Sequence, residues 1–309
     1  MLAIFLKTLP FFALIGLGWA AGRVRVFPEA ASEWLTRFVF YFALSAMLFR
    51  FAATLPLAEI FDARFAAAYL AGCLAVYLLA TLVARTRGRP ATEAAVEAQC
   101  AVIGNTGFLG VPMLTAILGP KAAGPVLMVL AIDLIVFSSL ITLIITASRE
   151  GKVSPRIGGA LALGLMKNPM IVSMAAGMAF SAARLPLPAP AEEFLALLGA
   201  AATPCALFAI GASLVSKTAE RMSVAVWLST AKLVLHPLAV AVAALLVFGV
   251  EPEAAGVMIA AAALPVAGNV YILARHYGVA PQRVSASILI STMASIVTVS
   301  LVIGWITGA

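Results

Sequence analysis

Apolar runs of about twenty residues, each ended by a charge, a glycine or a proline, recur from one end of this chain to the other. That pattern limits the fold more than any other feature. Crossing a bilayer takes about 20 apolar residues in helical form. Inside lipid, a helix satisfies its backbone hydrogen bonds within one segment. The runs fall at 2–22, 33–54, 63–84, 92–118, 122–147, 160–182, 193–215, 223–249, 253–277 and 282–307, and we read them as ten transmembrane helices filling nearly all of the 309 residues. Composition points the same way. Apolar residues make up 63% of the chain and charged residues 11%, against roughly 25% charged in a soluble domain. The expected class is an all-α integral membrane protein whose solvent is the lipid bilayer.

The net charge of +7 sits in short loops rather than in one stripe or tail, which excludes a nucleic-acid partner and makes the basic residues topology signals. With the N-terminus outside, the inner loops hold Arg23, Arg25, Arg37, Arg85, Arg87, Arg89, Arg149, Lys152, Arg156, Lys167, Lys217, Arg221, Arg275 and Arg283. The outer ones hold only Lys7, Arg50, Arg64, Lys121 and Arg184. Both termini are therefore expected outside the cytoplasm, in the plasma (inner) membrane of a cell. Met1 to Ala21 lacks the basic flank and small-residue cleavage site of a signal peptide and reads as the first membrane helix. Cys73, Cys100 and Cys205 lie inside apolar runs without metal-ligand spacing, so no metal is expected.

The chain also repeats itself. Slid by 159 residues, the distance from Pro10 to Pro169, Gly18 falls on Gly177, Phe49 on Phe208, Val111 on Val270 and Gly119 on Gly278. A first five-helix repeat (1–147), a cytoplasmic connecting loop (148–159) and a second repeat (160–309) are the expected units. Five is odd, so the second copy is inverted, an arrangement shared by many secondary transporters, which hold substrate near the midplane on discontinuous helices.

Two helices carry breaks at corresponding places. The fourth reads Gly104-Asn105-Thr106-Gly107-Phe108-Leu109-Gly110-Val111-Pro112, and the ninth reads Ala263-Leu264-Pro265-Val266-Ala267-Gly268-Asn269-Val270-Tyr271. Each begins about 11 residues into its helix, roughly 16 Å deep, near the middle of the hydrocarbon. Half-helices starting near Pro112 and near Asn269 to Tyr271 would offer unpaired N–H groups and positive dipole ends to an anion. Asn105, Thr106 and Asn269 would add neutral contacts for a carboxylate. The candidate substrate site is Asn105, Thr106, Gly107, Gly110, Pro112, Pro265, Gly268, Asn269 and Tyr271. Asp133 and Lys232 reach the same depth and are candidates for ion or proton coupling, or for a structural pair. His236, one turn beyond Lys232, reads as a packing histidine, and Glu97 as an interfacial or vestibule charge. With His236 and His276 the only histidines and no P-loop or GxSxG, neither an enzyme nor an ATP-driven pump is expected. Gradient-driven or facilitated transport without a cofactor is.

These residues resemble a known family. The stretch Asn105 to Pro112 is similar to the fourth-helix motif of the auxin efflux carrier family, which includes plant PIN-type auxin exporters and bacterial malonate or malate carriers. Lys167-Asn168-Pro169, Thr203-Pro204, Lys232 with Pro237, Ala263-Leu264-Pro265, Ala274 to Gly278 and Ser291-Thr292 extend the match over the whole chain. The resemblance implies a fold like that of bile-acid sodium symporters. Helices 1, 2, 6 and 7 would form a scaffold, often a homodimer interface. Helices 3–5 and 8–10 would form an elevator-like transport domain, with helices 4 and 9 crossing at their breaks. It also implies that Asn105 and the broken segments contact the carboxylate. The chain departs from plant members in its short loop at 148–157 and in Val270, preceded by Asn269, where PIN-type carriers have a second proline. A sodium-coupled bile-acid-type symporter and a non-transporting anion-binding sensor are the competing readings.

Overall fold

The computed structural model describes residues 2–55, 62–150, 155–215 and 222–308. Thirteen helices run through them: α1 (Leu2–Arg23), α2 (Glu29–Thr54), α3 (Ala63–Thr86), α4 (Ala91–Val102), α5 (Thr106–Leu118), α6 (Pro120–Arg149), α7 (Pro155–Lys167), α8 (Pro169–Ala182), α9 (Ala189–Leu214), α10 (Met222–Val247), α11 (Pro252–Ala262), α12 (Gly268–Tyr277) and α13 (Pro281–Thr307). The protein is all-helical among these residues, apart from one isolated antiparallel bridge between Gly104 and Val266. Seven helices are long and apolar enough to cross a membrane, and α7 with α8 makes an eighth if counted as one bent span. The pairs α4/α5 and α11/α12 are made of pieces too short to cross singly.

Two details differ from the sequence reading. The expected sixth span is bent by 76° between Lys167 and Pro169. Asn168 leaves helical angles there, its side chain accepts from the Met170 N–H at 3.0 Å, and Pro169 has no N–H with which to continue the preceding helix. The second half of the fourth-helix region starts at Thr106, six residues before Pro112, and its partner starts at Gly268. Pro112 is tolerated inside α5 because the turn before it is widened: the Val111 N–H bonds the Thr106 carbonyl five residues back. Of the expected inner basic residues, Lys152, Lys217 and Arg221 lie outside the described residues, as do 151–154 of the connecting loop.

Small residues decide how the helices pack, since lipid offers no hydrophobic drive for helix pairing. Helix α1 lies against the second half of α9. A Cβ on Gly18 would sit 2.0 Å from the Phe208 carbonyl oxygen, and one on Gly211 would sit 1.9 Å from that of Ile15. Helix α8 lies against the second half of α2, where a Cβ on Gly177 would sit 2.6 Å from the Phe49 carbonyl oxygen. Polar stitches add to this packing: the Ser32 hydroxyl of α2 donates to Ala209 O of α9 at 3.0 Å, joining the two pairs, and Ser181 of α8 donates to Leu55 O, just past α2, at 2.7 Å. Helices α1, α2, α8 and α9 thus form one packed group.

Ion pairs tie helix ends in the remaining group. Glu97 on α4 is fully buried and takes Arg87, beyond α3, on one oxygen and Arg283 of α13 on the other, the latter at 2.6 Å. Arg283 also reaches Glu93 at 3.0 Å. At the same end, Arg149 of α6 donates to the Tyr277 carbonyl of α12 and lies over its ring. The N-terminal ends of α6 and α11 meet through Lys121 and Glu253, 3.9 Å apart and well exposed.

Candidate functional site

Helices α4 and α11 both stop in the core, and their broken ends are hydrogen-bonded to each other. The Asn105 N–H donates to Pro265 O at 2.8 Å, and the Ala267 N–H donates to Ile103 O at 3.1 Å. Two extended segments thereby satisfy each other's backbone groups, which is what makes irregular backbone tolerable at this depth. The Val266 N–H is taken up by the Ser291 hydroxyl of α13 at 3.1 Å. A Cβ on Gly110 would lie 2.5 Å from Leu264 Cδ1, so glycine there permits the close crossing. Gly107 packs against Met170, whose Cε would lie 2.7 Å from a Cβ there and would have to turn aside.

Beyond the crossing, α5 and α12 each begin with first-turn N–H groups that lack intrahelical acceptors. Asn105 stands in the cap position of α5 yet makes no side-chain cap bond, while its carbonyl accepts from both Leu109 and Gly110. It is largely buried and its amide has no hydrogen-bond partner among the described residues. Asn269, in the first turn of α12, has a buried Oδ1 that is likewise unsatisfied. Gly268 is exposed with open space around it, Tyr271 lies on the same helix with Arg275 over its ring, and Pro112 and Pro265 are buried. Two asparagines with unused hydrogen-bonding groups thus flank two helix N-termini. Such an arrangement can bind a carboxylate without a full counter-charge.

Behind the crossing runs a fully buried polar chain. The Thr106 hydroxyl points at Asp133 Oδ2 at 3.4 Å, and Tyr69 OH donates to Asp133 Oδ1 at 2.9 Å. One turn along α3, Cys73 Sγ lies 3.1 Å from His236 Nε2. His236 Nδ1 is 3.0 Å from Lys232 Nζ, which donates to the Ala262 carbonyl at the end of α11. Asp133 and Lys232 make no direct ion pair within 4 Å; Tyr69, Cys73 and His236 stand along the route between them. Thr106, Asp133 and Lys232 each sit in a widened turn, closed by Val111 N–H to Thr106 O, Ser138 N–H to Asp133 O and His236 N–H to Ala231 O. Turns of this kind are frequent at functional sites.

Sequence reasoning picked out Asp133 and Lys232 but passed over Tyr69 and Cys73, and it gave His236 a packing role. The signal was present in two pairs spaced by four, Tyr69/Cys73 and Lys232/His236, which put two polar groups on one face of an apolar helix.

Comparison with known proteins gives a family and a relative. A family model described as a membrane transport protein matches residues 3–303. A protein of Rhizobium meliloti (strain 1021) described as "Putative malonate transporter" is 31% identical over 298 residues, covering 94% of this chain and 92% of its own length.

Proposed function

The chain belongs to the membrane transport protein family, the family of the auxin efflux carriers, and from that premise we propose that it is a secondary carrier of a small carboxylate of the malonate or malate class. The observation that carries this reading is the paired backbone crossing, Asn105 to Pro265 and Ala267 to Ile103. It brings the free N–H ends of α5 and α12 together with the unused amides of Asn105 and Asn269. Thr106, Gly107, Gly110, Pro112, Pro265, Gly268 and Tyr271 shape the same place, and the binding is neutral and dipolar rather than ionic. The relative's description supports a dicarboxylate of malonate size.

In this reading α4 with α5, and α11 with α12, are each one broken crossing, which makes ten spans in two inverted repeats. The contacts of Gly18 with Phe208 and of Gly177 with Phe49 support it, because a shift of 159 residues turns one pair into the other. The group α1, α2, α8 and α9 is the scaffold, through which two copies pair. The rest moves as the transport domain in an elevator-type cycle, stapled by Glu97 and Arg283. The protein resides in the inner membrane with both termini outside the cytoplasm. The gathering of Arg87, Arg149 and Arg283 at one end supports that orientation.

The test is counterflow in proteoliposomes with labelled malonate, using malate, other short carboxylates and indole acetate as competitors, at two pH values. Saturable exchange of a short dicarboxylate is expected. Binding without flux would identify a sensor instead, and selective exchange of indole acetate would overturn the substrate class.

A further inference from the structure

Asn168 fixes where α8 begins. Its side chain caps the Met170 N–H, Pro169 fills the first helical position, and α7 leaves at 76°. Farther along, Gly177 seats α8 against the Phe49 carbonyl of α2, where no Cβ fits. The backbone of Met170, in the first turn of α8, is therefore held on both sides. Its tip is free by comparison: an unbranched thioether with three rotatable bonds turns at low cost. That tip reaches from the group α1, α2, α8 and α9 across to the first turn of α5, where Cε lies 2.7 Å from a Cβ position on Gly107. Leu44 of α2 and Leu130 of α6 close the same spot at 3.6 Å each, and Met170 is buried. The two halves of the candidate site thus differ. The first turn of α5 lies under an apolar cover, with Thr106 and Gly107 buried. The first turn of α12 is open, Gly268 being exposed with nothing within 4 Å of its Cβ position.

We propose that Met170 is a specificity-determining lid on the carboxylate site: its thioether covers the α5 half, turns aside when an acid engages the first turn of α5, and by its bulk limits the length of acid accepted. The proposal rests on the carrier reading and deepens it. An acid that takes the first-turn N–H groups of α5 has to displace the methyl end of Met170, because Cε stands against that turn. Met170, Leu44 and Leu130 offer no hydrogen-bond donor, so a second carboxylate is directed away from them, toward the open α12 half and Asn269. A short diacid fits with the lid turned. Each further methylene meets the Met170 side chain, whose backbone cannot retreat.

The experiment is displacement of labelled malonate from purified protein by malonate, succinate, glutarate and adipate, repeated as counterflow in proteoliposomes. Wild type is expected to rank the acids by length, the shortest binding tightest. Met170→Ala is expected to bring glutarate and adipate about tenfold or more closer to malonate, with malonate itself changed by less than about threefold. Met174→Ala, one turn farther along α8, removes a similarly buried thioether and is expected to keep the wild-type order. Met170→Leu keeps the volume but loses the freely turning tip, and is expected to keep the order while lowering flux several-fold. A wild type indifferent to acid length, an unchanged order in Met170→Ala, the same shift in Met174→Ala, or wild-type flux in Met170→Leu would each overturn the lid. If Met170→Ala cannot be purified, the flux of Met170→Leu decides. Malonate binding without exchange in wild type would overturn the carrier reading while the order of displacing acids still tests the lid; no binding at all would overturn both.

Discussion

Asn105 occupies a helix cap position without capping its helix, so its side-chain amide keeps donors and an acceptor that a carboxylate can engage. Asn105→Ala should weaken malonate binding by about 1 kcal/mol, roughly fivefold, with little change in melting temperature. Equilibrium binding to purified protein reads this directly, and unchanged affinity would remove Asn105 from the site. Asp133 poses a different question, because its oxygens face Tyr69 and Thr106 rather than the open side of the crossing. Asp133→Asn keeps the shape and removes the charge that faces Lys232, His236 and Cys73 through that chain. Uptake that loses its pH dependence while binding persists is the expected outcome for a proton-coupling residue; a pH profile identical to wild type would dismiss the coupling role. Glu97 gives a stability prediction. It is buried between two arginines, so Glu97→Gln leaves Arg283 with Glu93 as its one remaining carboxylate and should cost about 3 kcal/mol, seen as a lower melting temperature. A Glu97→Met/Arg283→Met double variant should recover much of the loss.

Among the elements, the helix breaks and the helix contacts follow different rules. The breaks at 103–105 and 263–267 could be read from glycine, proline and asparagine in apolar runs, because these residues act on their own backbone. Where each half-helix begins could not. Pro112 looked like a starting point, yet α5 begins at Thr106, since a widened turn removes the need for the missing proline N–H. The helix contacts depend on single glycines facing a neighbour's backbone. Gly18→Val places side-chain atoms where the Phe208 carbonyl stands and should destabilise the α1–α9 pair by about 1–3 kcal/mol. Gly16→Val, with nothing within 4 Å of its Cβ position, should lack that clash. Melting both variants in one detergent distinguishes them, and equal losses would mean that the contact at Gly18 is not limiting.

On the scale of the molecule, the arrangement separates a group made of α1, α2, α8 and α9 from one built around the crossing. Charged residues were readable as topology signals because a loop lysine or arginine stays in water whichever way the helices pack. Thr86, at the arginine-rich end of α3, and Lys121, at the start of α6, are both exposed. In a Cys205→Ala background, an impermeant maleimide added to intact cells should label Lys121→Cys and spare Thr86→Cys. The reverse pattern would invert the proposed topology.

Hydrophobic length, charge alternation and the placing of glycine and proline are local quantities, so the sequence alone determined that the chain spans a bilayer, that its helices break at 103–105 and 263–267, though not that they also break at Asn168, and which residues carry charge into its middle. Partnership is not local. Whether Asp133 met Lys232 directly or through Tyr69, Cys73 and His236, whether Glu97 faced lipid or two arginines, and which carbonyl the lysine would serve depended on how α3, α6, α10, α11 and α13 came together. Only the tertiary structure decided those points, because a buried polar group takes whichever partner packing brings within about 3 Å, and nothing in the spacing of the chain fixes that neighbour.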